Sequence, residues 1–218
     1  PPSSNVIDKF PFAADGNASD VGDLTVARFN LAGQSSTAYG YTSGMAPDII
    51  DKFPFASDAN ATDVGNLTVG RYGTAGQSSS ENGYNSGGSA PGNARTIDKF
   101  PFASDVNSTD VGDLTVARRN VSGNNSDEYG YTAQNIPISI TIDKFPFATD
   151  GNATNVGDLT QARYAGVGQS STESGYTSGG VPPGFVNTID KFPFTSDGNA
   201  TDVGDLTFGV HSAAGQQI

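Results

Sequence analysis

The chain has no cysteine and no tryptophan, one histidine (His211) and one methionine (Met45). Without cysteine there are no disulfide staples and no thiolate metal sites. A lone histidine is a poor nucleus for a catalytic or metal centre. Basic residues are scarce: 11 Lys and Arg stand against 23 Asp and Glu, for a net charge of −12. Such a surface repels phosphate backbones and anionic lipid, so nucleic acid is not an expected partner. The acidity fits divalent cations better. No apolar run approaches the ~18 residues of a spanning helix, so membrane insertion is not expected. No signal peptide is visible, and Pro1 in first position predicts a processed, truncated or excised chain. Apolar residues make up only 35% of the 218 and charged residues 16%. Disorder is argued against because the apolar residues recur at fixed positions with turn formers between them.

What the chain has is repetition. The phrase Ile-Asp-Lys-Phe-Pro-Phe begins at Ile7, Ile50, Ile97, Ile142 and Ile189. A unit of about 45 residues is one supersecondary motif that cannot bury its apolar face alone, so residues 1–218 read as a single array domain. Within one unit, Thr96 to Phe102 predicts a strand rich in β-branched and aromatic residues. Asp105 to Gly112 predicts a turn of Asp, Asn, Ser, Thr and Gly. Leu114 to Arg118 predicts a second strand, with Leu114 and Val116 on one side. Val121 to Ser126 and the glycine-tyrosine element (Gly40–Gly44, Gly83–Gly88, Gly130–Ala133, Gly175–Gly180) supply two more. Nothing shows helical periodicity. Four short strands per unit predict an all-β fold of propeller blades.

The doublets Gly87-Gly88 and Gly179-Gly180, the Ile-Asp-Lys strand after a variable loop, and strands ending in Ala27-Arg28, Ala117-Arg118 and Ala162-Arg163 resemble the Kelch motif over essentially the whole chain. The family's usual tryptophan before that arginine is missing; Leu24, Leu67, Leu114, Leu159 and Leu206 are the nearest large residues. The wording is also similar to Kelch-type repeats in virion proteins of marine bacteriophages. The resemblance implies a five-bladed Kelch-like β-propeller with antiparallel blades stacked face to face. Such stacking would cover both Ile97 and Phe100, on opposite sides of one strand.

Counting strands, the glycine-tyrosine element occurs four times and the others five. A ring would therefore close through a composite N/C-terminal seam blade short of one strand. The alternatives are a strand in sequence absent here, or pairing with another chain. The copies also alternate. Those from Ile7 and Ile97 share Asn30/Asn120 and a Tyr-Gly-Tyr, as if a two-blade unit had been duplicated.

Several residues are candidates for chemistry. The acidic turns place Asp15 and Asn17, Asp58 and Asn60, Asp105 and Asn107, Asp150 and Asn152, and Asp197 and Asn199 like the start of a calcium loop, so structural calcium is the one cofactor considered. The competing reading is a metal-free Asx turn. The same asparagines begin Asn-x-Ser/Thr sequons, more simply read as copied turn chemistry. Arg28, Arg71, Arg118 and Arg163 form either an anion-gripping set or structural pairs with a nearby Asp; the fifth copy has Val210. The next position changes in nearly every copy: Phe29, Tyr72, Arg119, Tyr164, His211. Aromatics mixed with Arg and His suit sugar stacking or protein contact. A second variable region precedes the Ile-Asp-Lys strand (45–48, 89–95, 134–139, 181–187), with Met45, Ile136, Ile138 and Phe185 apolar among polar neighbours.

No nucleophile-base set, distinctive carboxylate pair or phosphate loop appears, so an enzyme is not expected. The favoured expectation is a non-enzymatic structural or binding module, a virion-surface fibre or decoration propeller meeting a glycan or protein partner. A lectin-like or adhesion domain of an extracellular or cell-surface protein is the alternative. Homo-oligomerisation or assembly into a larger particle fits either.

Overall fold

The computed structural model describes residues 3–45, 47–134, 136, 138–181, 184–212 and 215. These residues form strands and loops, with no helix. In chain order the strands are β1 (Ser4–Lys9), β2 (Ser19–Arg28), β3 (Ala32–Ser35), β4 (Tyr39–Ser43), β5 (Ile49–Pro54), β6 (Thr62–Asn66), β7 (Ala75–Ser78), β8 (Asn82–Ser86) and β9 (Ala94–Pro101). They continue as β10 (Thr109–Arg118), β11 (Ser122–Asn125), β12 (Tyr129–Ala133), β13 (Thr141–Pro146), β14 (Thr154–Asp158), β15 (Val167–Ser170), β16 (Ser174–Ser178), β17 (Thr188–Pro193) and β18 (Thr201–Asp205).

A two-stranded sheet, β1-β2, is followed by four four-stranded antiparallel sheets: β3–β6, β7–β10, β11–β14 and β15–β18. Each four-stranded sheet takes two strands from the end of one repeat and two from the start of the next. The glycine-tyrosine strand pairs in register with the Ile-Asp-Lys strand that follows, setting Gly83 opposite Phe100 and Tyr84 opposite Lys99. The ring of Phe100 lies across Gly83, where a Cβ would meet it at 2.3 Å. This close approach explains the glycine before each tyrosine.

The fourth strand differs from expectation. Its pairing to the third strand runs mainly through the Thr-Asp-Val-Gly-Asp residues, such as Thr109↔Lys99 and Gly112↔Ile97 with a bulge between, and resumes only at Arg118↔Ala94. The second half of the segment read as a turn is part of the edge strand, which in β2 and β10 continues through the Leu-Thr segment and in β6, β14 and β18 ends before it. Leu114 is 1% exposed and Val116 42%, so they do not share a buried face. The reason is hydrogen bonding: the Thr115 amide bonds an aspartate of the neighbouring sheet instead of a ladder partner.

The apolar core lies between sheets. Tyr41, Ile50 and Leu67 pack with Phe100; Tyr84, Ile97 and Leu114 with Phe145; Tyr131, Ile142 and Leu159 with Phe192. Ile97 therefore faces the following sheet and Phe100 the preceding one, and both are buried as expected. The first strands of the sheets run side by side, so close that a Cβ on Gly76 would meet the Gly33 carbonyl oxygen at 2.2 Å. Sheets packed face to face and converging on this row of glycines make a propeller-like arrangement. The alternation of copies also appears, because β2 and β10 have 10 residues where β6, β14 and β18 have 5. The C-terminal strand expected at the seam lies mostly outside the described residues.

Candidate functional site

The repeated residues join one sheet to the next. Arg28, Arg71, Arg118 and Arg163, at the end of each crossover, pair with Asp51, Asp98, Asp143 and Asp190 on the third strand of the following sheet. All eight side chains are at most 1% exposed. Each aspartate also accepts a threonine hydroxyl and backbone amide, as Asp143 does from Thr115 at 2.6 and 2.9 Å. Burial lowers the pKa of Arg71, Arg118 and Arg163, and the facing aspartate opposes that shift. Arg28, Arg71 and Arg163 each keep a buried Nε without a partner, but paired with aspartate and closed to solvent these arginines present no guanidinium to an anionic ligand at the surface. The structural reading of the arginine row holds.

The acidic turns serve the same joints. Asp58, Asp105, Asp150 and Asp197 pair with Lys9, Lys52, Lys99 and Lys144 of the preceding copy. The hydrogen bond to Asp105 raises the Lys52 pKa. The Asn60, Asn107, Asn152 and Asn199 Oδ1 atoms accept the amides of Asp23, Asn66, Asp113 and Asp158 at 2.9 to 3.1 Å. The carbonyls of those same four residues accept the amides of Ala61, Ser108, Ala153 and Ala200 at 2.8 Å, so each turn is held by a two-way clasp. A calcium ion at these turns would have to displace an ammonium group and a clasp. No group of three or more Asp, Glu, His or Cys placed to hold a metal occurs among the described residues. Asp15 and Asn17, in the first copy described, clasp no other copy among the described residues, and both are exposed.

The variable residues are brought together elsewhere. Each directly precedes a residue with positive φ: Asn30, Gly73, Asn120, Ala165 and Ser212, at 53° to 64°. A backbone ladder links these in order. The amide of Gly73 donates to Asn30, Asn120 to Gly73, Ala165 to Asn120 and Ser212 to Ala165, at 2.6 to 3.3 Å. The five corner residues line one depression of about 330 Å³. Phe29, Tyr72, Arg119, Tyr164 and His211 therefore stand one rung apart along a single rim. Tyr72 and His211 are exposed, the other three half-buried.

The second variable region joins the same rim. Tyr72 bridges to Ser89, Arg119 to Ile136 and Tyr164 to Val181. The Phe29 amide contacts the Met45 sulfur at 3.5 Å. His211 stacks on Phe185, ring centroids 4.9 Å apart, and Phe185 is 65% exposed. Sequence reading identified the two variable regions separately and missed that they form one face. The signal available was the shared spacing: in each copy the two regions lie on either side of two short strands, which a hairpin brings back to one end. Ala46, Asn135, Pro137, Pro182 and Pro183, within that second region, lie outside the described residues.

No protein-family model matches this chain, and no curated protein matches it.

Proposed function

We propose that the chain is a non-enzymatic binding module, a Kelch-like propeller array whose variable rim contacts a glycan or protein surface. One observation carries the reading. Residues that vary between copies are gathered on a single rim by the backbone ladder through Asn30, Gly73, Asn120, Ala165 and Ser212. The residues that do not vary are consumed by joints between sheets. Variable side chains on a rigid frame are how scaffold folds present a binding surface.

The rim chemistry suits ring faces and polar groups. Exposed Tyr72 and the His211–Phe185 stack offer flat aromatic surfaces, and Arg119 offers a fork of donors. Sugar rings and protein loops both meet that chemistry. The virion setting, as a fibre or decoration part, rests on the resemblance of the repeats; an adhesion domain of a cell-surface protein would use the same rim. In the finer reading of the fold, the four-stranded sheets are blades and β1-β2 is part of a fifth.

A glycan array probed with the chain tests this proposal. Binding that disappears in Tyr72→Ala with Tyr164→Ala, at unchanged melting temperature, supports the sugar reading. Binding insensitive to every rim substitution would overturn the rim assignment. Absence of any glycan signal, with a protein partner captured through the rim, leaves the rim and removes the sugar.

A further inference from the structure

We propose that the rim binds an acidic saccharide, with Arg119 gripping its anionic group; this rests on the rim being the binding surface and names what it selects. The chain holds 11 Lys and Arg, and nearly all are committed elsewhere. Arg28, Arg71, Arg118 and Arg163 are buried against aspartates. Lys9, Lys52, Lys99 and Lys144 pair with the turn aspartates. Lys191 lies over the Tyr176 ring at 5.8 Å, and Arg95 pairs with Asp113 at 3.7 Å. Arg119 remains. It is half-buried, and among the described residues its side chain meets no carboxylate, aromatic ring or hydrogen-bond partner.

Arg119 holds the middle place on the rim. It stands one rung of the backbone ladder from Tyr72 and one from Tyr164: the Asn120 amide donates to Gly73 at 2.7 Å and the Ala165 amide to Asn120 at 2.9 Å. A guanidinium between two phenol rings suits a sugar acid. The rings cover the apolar face of a pyranose, and the planar fork meets two oxygens of one anionic group. The corner residues line a depression of about 330 Å³. That volume is at the small end of the roughly 300–1,000 Å³ of small-molecule sites. The amides of Gly73, Asn120, Ala165 and Ser212 are spent on the ladder, and those of Tyr72 and Tyr164 on Ser89 and Val181. Little backbone is left for strand addition by a peptide, so recognition falls to ring faces and the fork, which favours a sugar over an acidic peptide.

A net charge of −12 would repel an anion, but that charge lies away from the rim. The two variable regions hold one acid, Asp48, against Arg95, Arg119 and the titratable His211. Glu81, Asp127, Glu128 and Glu173 sit in hairpins at the far end of the first strands from the rim. A four-residue strand spans roughly 13 Å, beyond the ~8 Å screening length at physiological salt. One free cation suits one isolated anion; a densely charged polyanion would meet the acids beyond the rim.

The probes are short oligosaccharides ending in glucuronic acid, glucose 6-sulfate or glucose, titrated against the full chain by calorimetry. A charged sugar should bind roughly ten- to hundredfold more tightly than glucose, the range of one charged hydrogen-bonded contact. The tighter of the two charged sugars assigns the anion. Arg119→Gln should erase the preference while leaving glucose affinity and melting temperature unchanged. Arg119→Lys should restore only part of it, since an ammonium lacks the fork. Equal affinity for charged and neutral sugars, or a preference that survives Arg119→Gln, would sink the acidic assignment; loss of the remaining binding in Tyr72→Ala would then show that the rim still takes sugar. Failure of every sugar, with an acidic peptide held through Arg119 instead, would overturn the saccharide and keep the rim. Binding unaffected by Tyr72→Ala, Tyr164→Ala and Arg119→Gln alike would remove both the proposal and the rim.

Discussion

Phe145 in β13 and Phe10 just beyond β1 hold the same place in the repeat, yet Phe145 is 1% exposed and Phe10 43%. The difference lies in the neighbour. Tyr84 of the preceding sheet lies against Phe145, with ring centroids 5.6 Å apart, whereas among the described residues no tyrosine lies against Phe10. Phe53 sits between these cases. The sheet before it, β1-β2, has no tyrosine strand, and Phe53 is half-buried. The repeat thus specifies half an interface at each end of a unit, and a residue's contribution depends on whether the other half is present.

Substitutions should separate joint from end most sharply at the buried ion pair. Arg118→Met strands Asp143 in the core and should cost about 3–5 kcal/mol, read as a urea midpoint. Adding Asp143→Leu should recover much of that loss, because the unpaired charge causes the damage. Phe145→Ala should cost a similar ~3–5 kcal/mol, whereas Phe12→Ala should stay within about 0.5 kcal/mol. Equal costs at the two phenylalanines would break the comparison.

Alkaline pH gives a second contrast. Burial pushes the Tyr84 and Tyr131 phenols up to about 12 from an ordinary 10.0. Between those values the folded chain holds protons that the unfolded chain has released, so stability falls as pH rises. That contribution is complete below pH 10.0 and lost through about pH 12. The Lys52 pKa, raised by Asp105, adds a loss of the same sign. A urea midpoint independent of pH across this window would contradict the burial of these rings.

Smaller effects come from the turns. Asn152→Ala removes one acceptor of the Asp113 amide and should cost roughly 1 kcal/mol; Asn17→Ala, with no amide to accept, should cost nothing measurable. A chelator should leave the melting temperature unchanged, since Lys9, Lys52, Lys99 and Lys144 already neutralise the turn aspartates. A fall on chelation would show that a cation competes with those lysines.

Much of the fold was legible in the sequence. The repeat period, the strand-only structure, the double-sided burial of Ile97 and Phe100 and the pairing of arginine with the Ile-Asp-Lys aspartate follow from residue identity and spacing. What stayed hidden shares one physical cause. Lys52 and Asp105 lie 53 residues apart, and the Asn66 amide and Asn107 lie 41 apart. A repeat shows that each copy has a lysine and an asparagine, but not that each reaches into its neighbour. The turn therefore resembled a calcium loop, and the start of the edge strand was placed too late: β10 begins at Thr109 and includes Leu114–Arg118, but the Thr115 amide bonds Asp143 of another sheet. The rim was half legible: variation marked its residues, but only the corner ladder shows that they are adjacent.

Hydrogen exchange at one position in every copy tests the contrast of joint and end most directly. The amides of Asp23, Asn66, Asp113 and Asp158 are each bonded to an asparagine of the next copy, and that of Asp205 has no such partner among the described residues. The first four should be protected and Asp205 should exchange freely. Protection of Asp205 equal to that of Asp158 would show that this amide needs no asparagine from a following copy and would contradict this account.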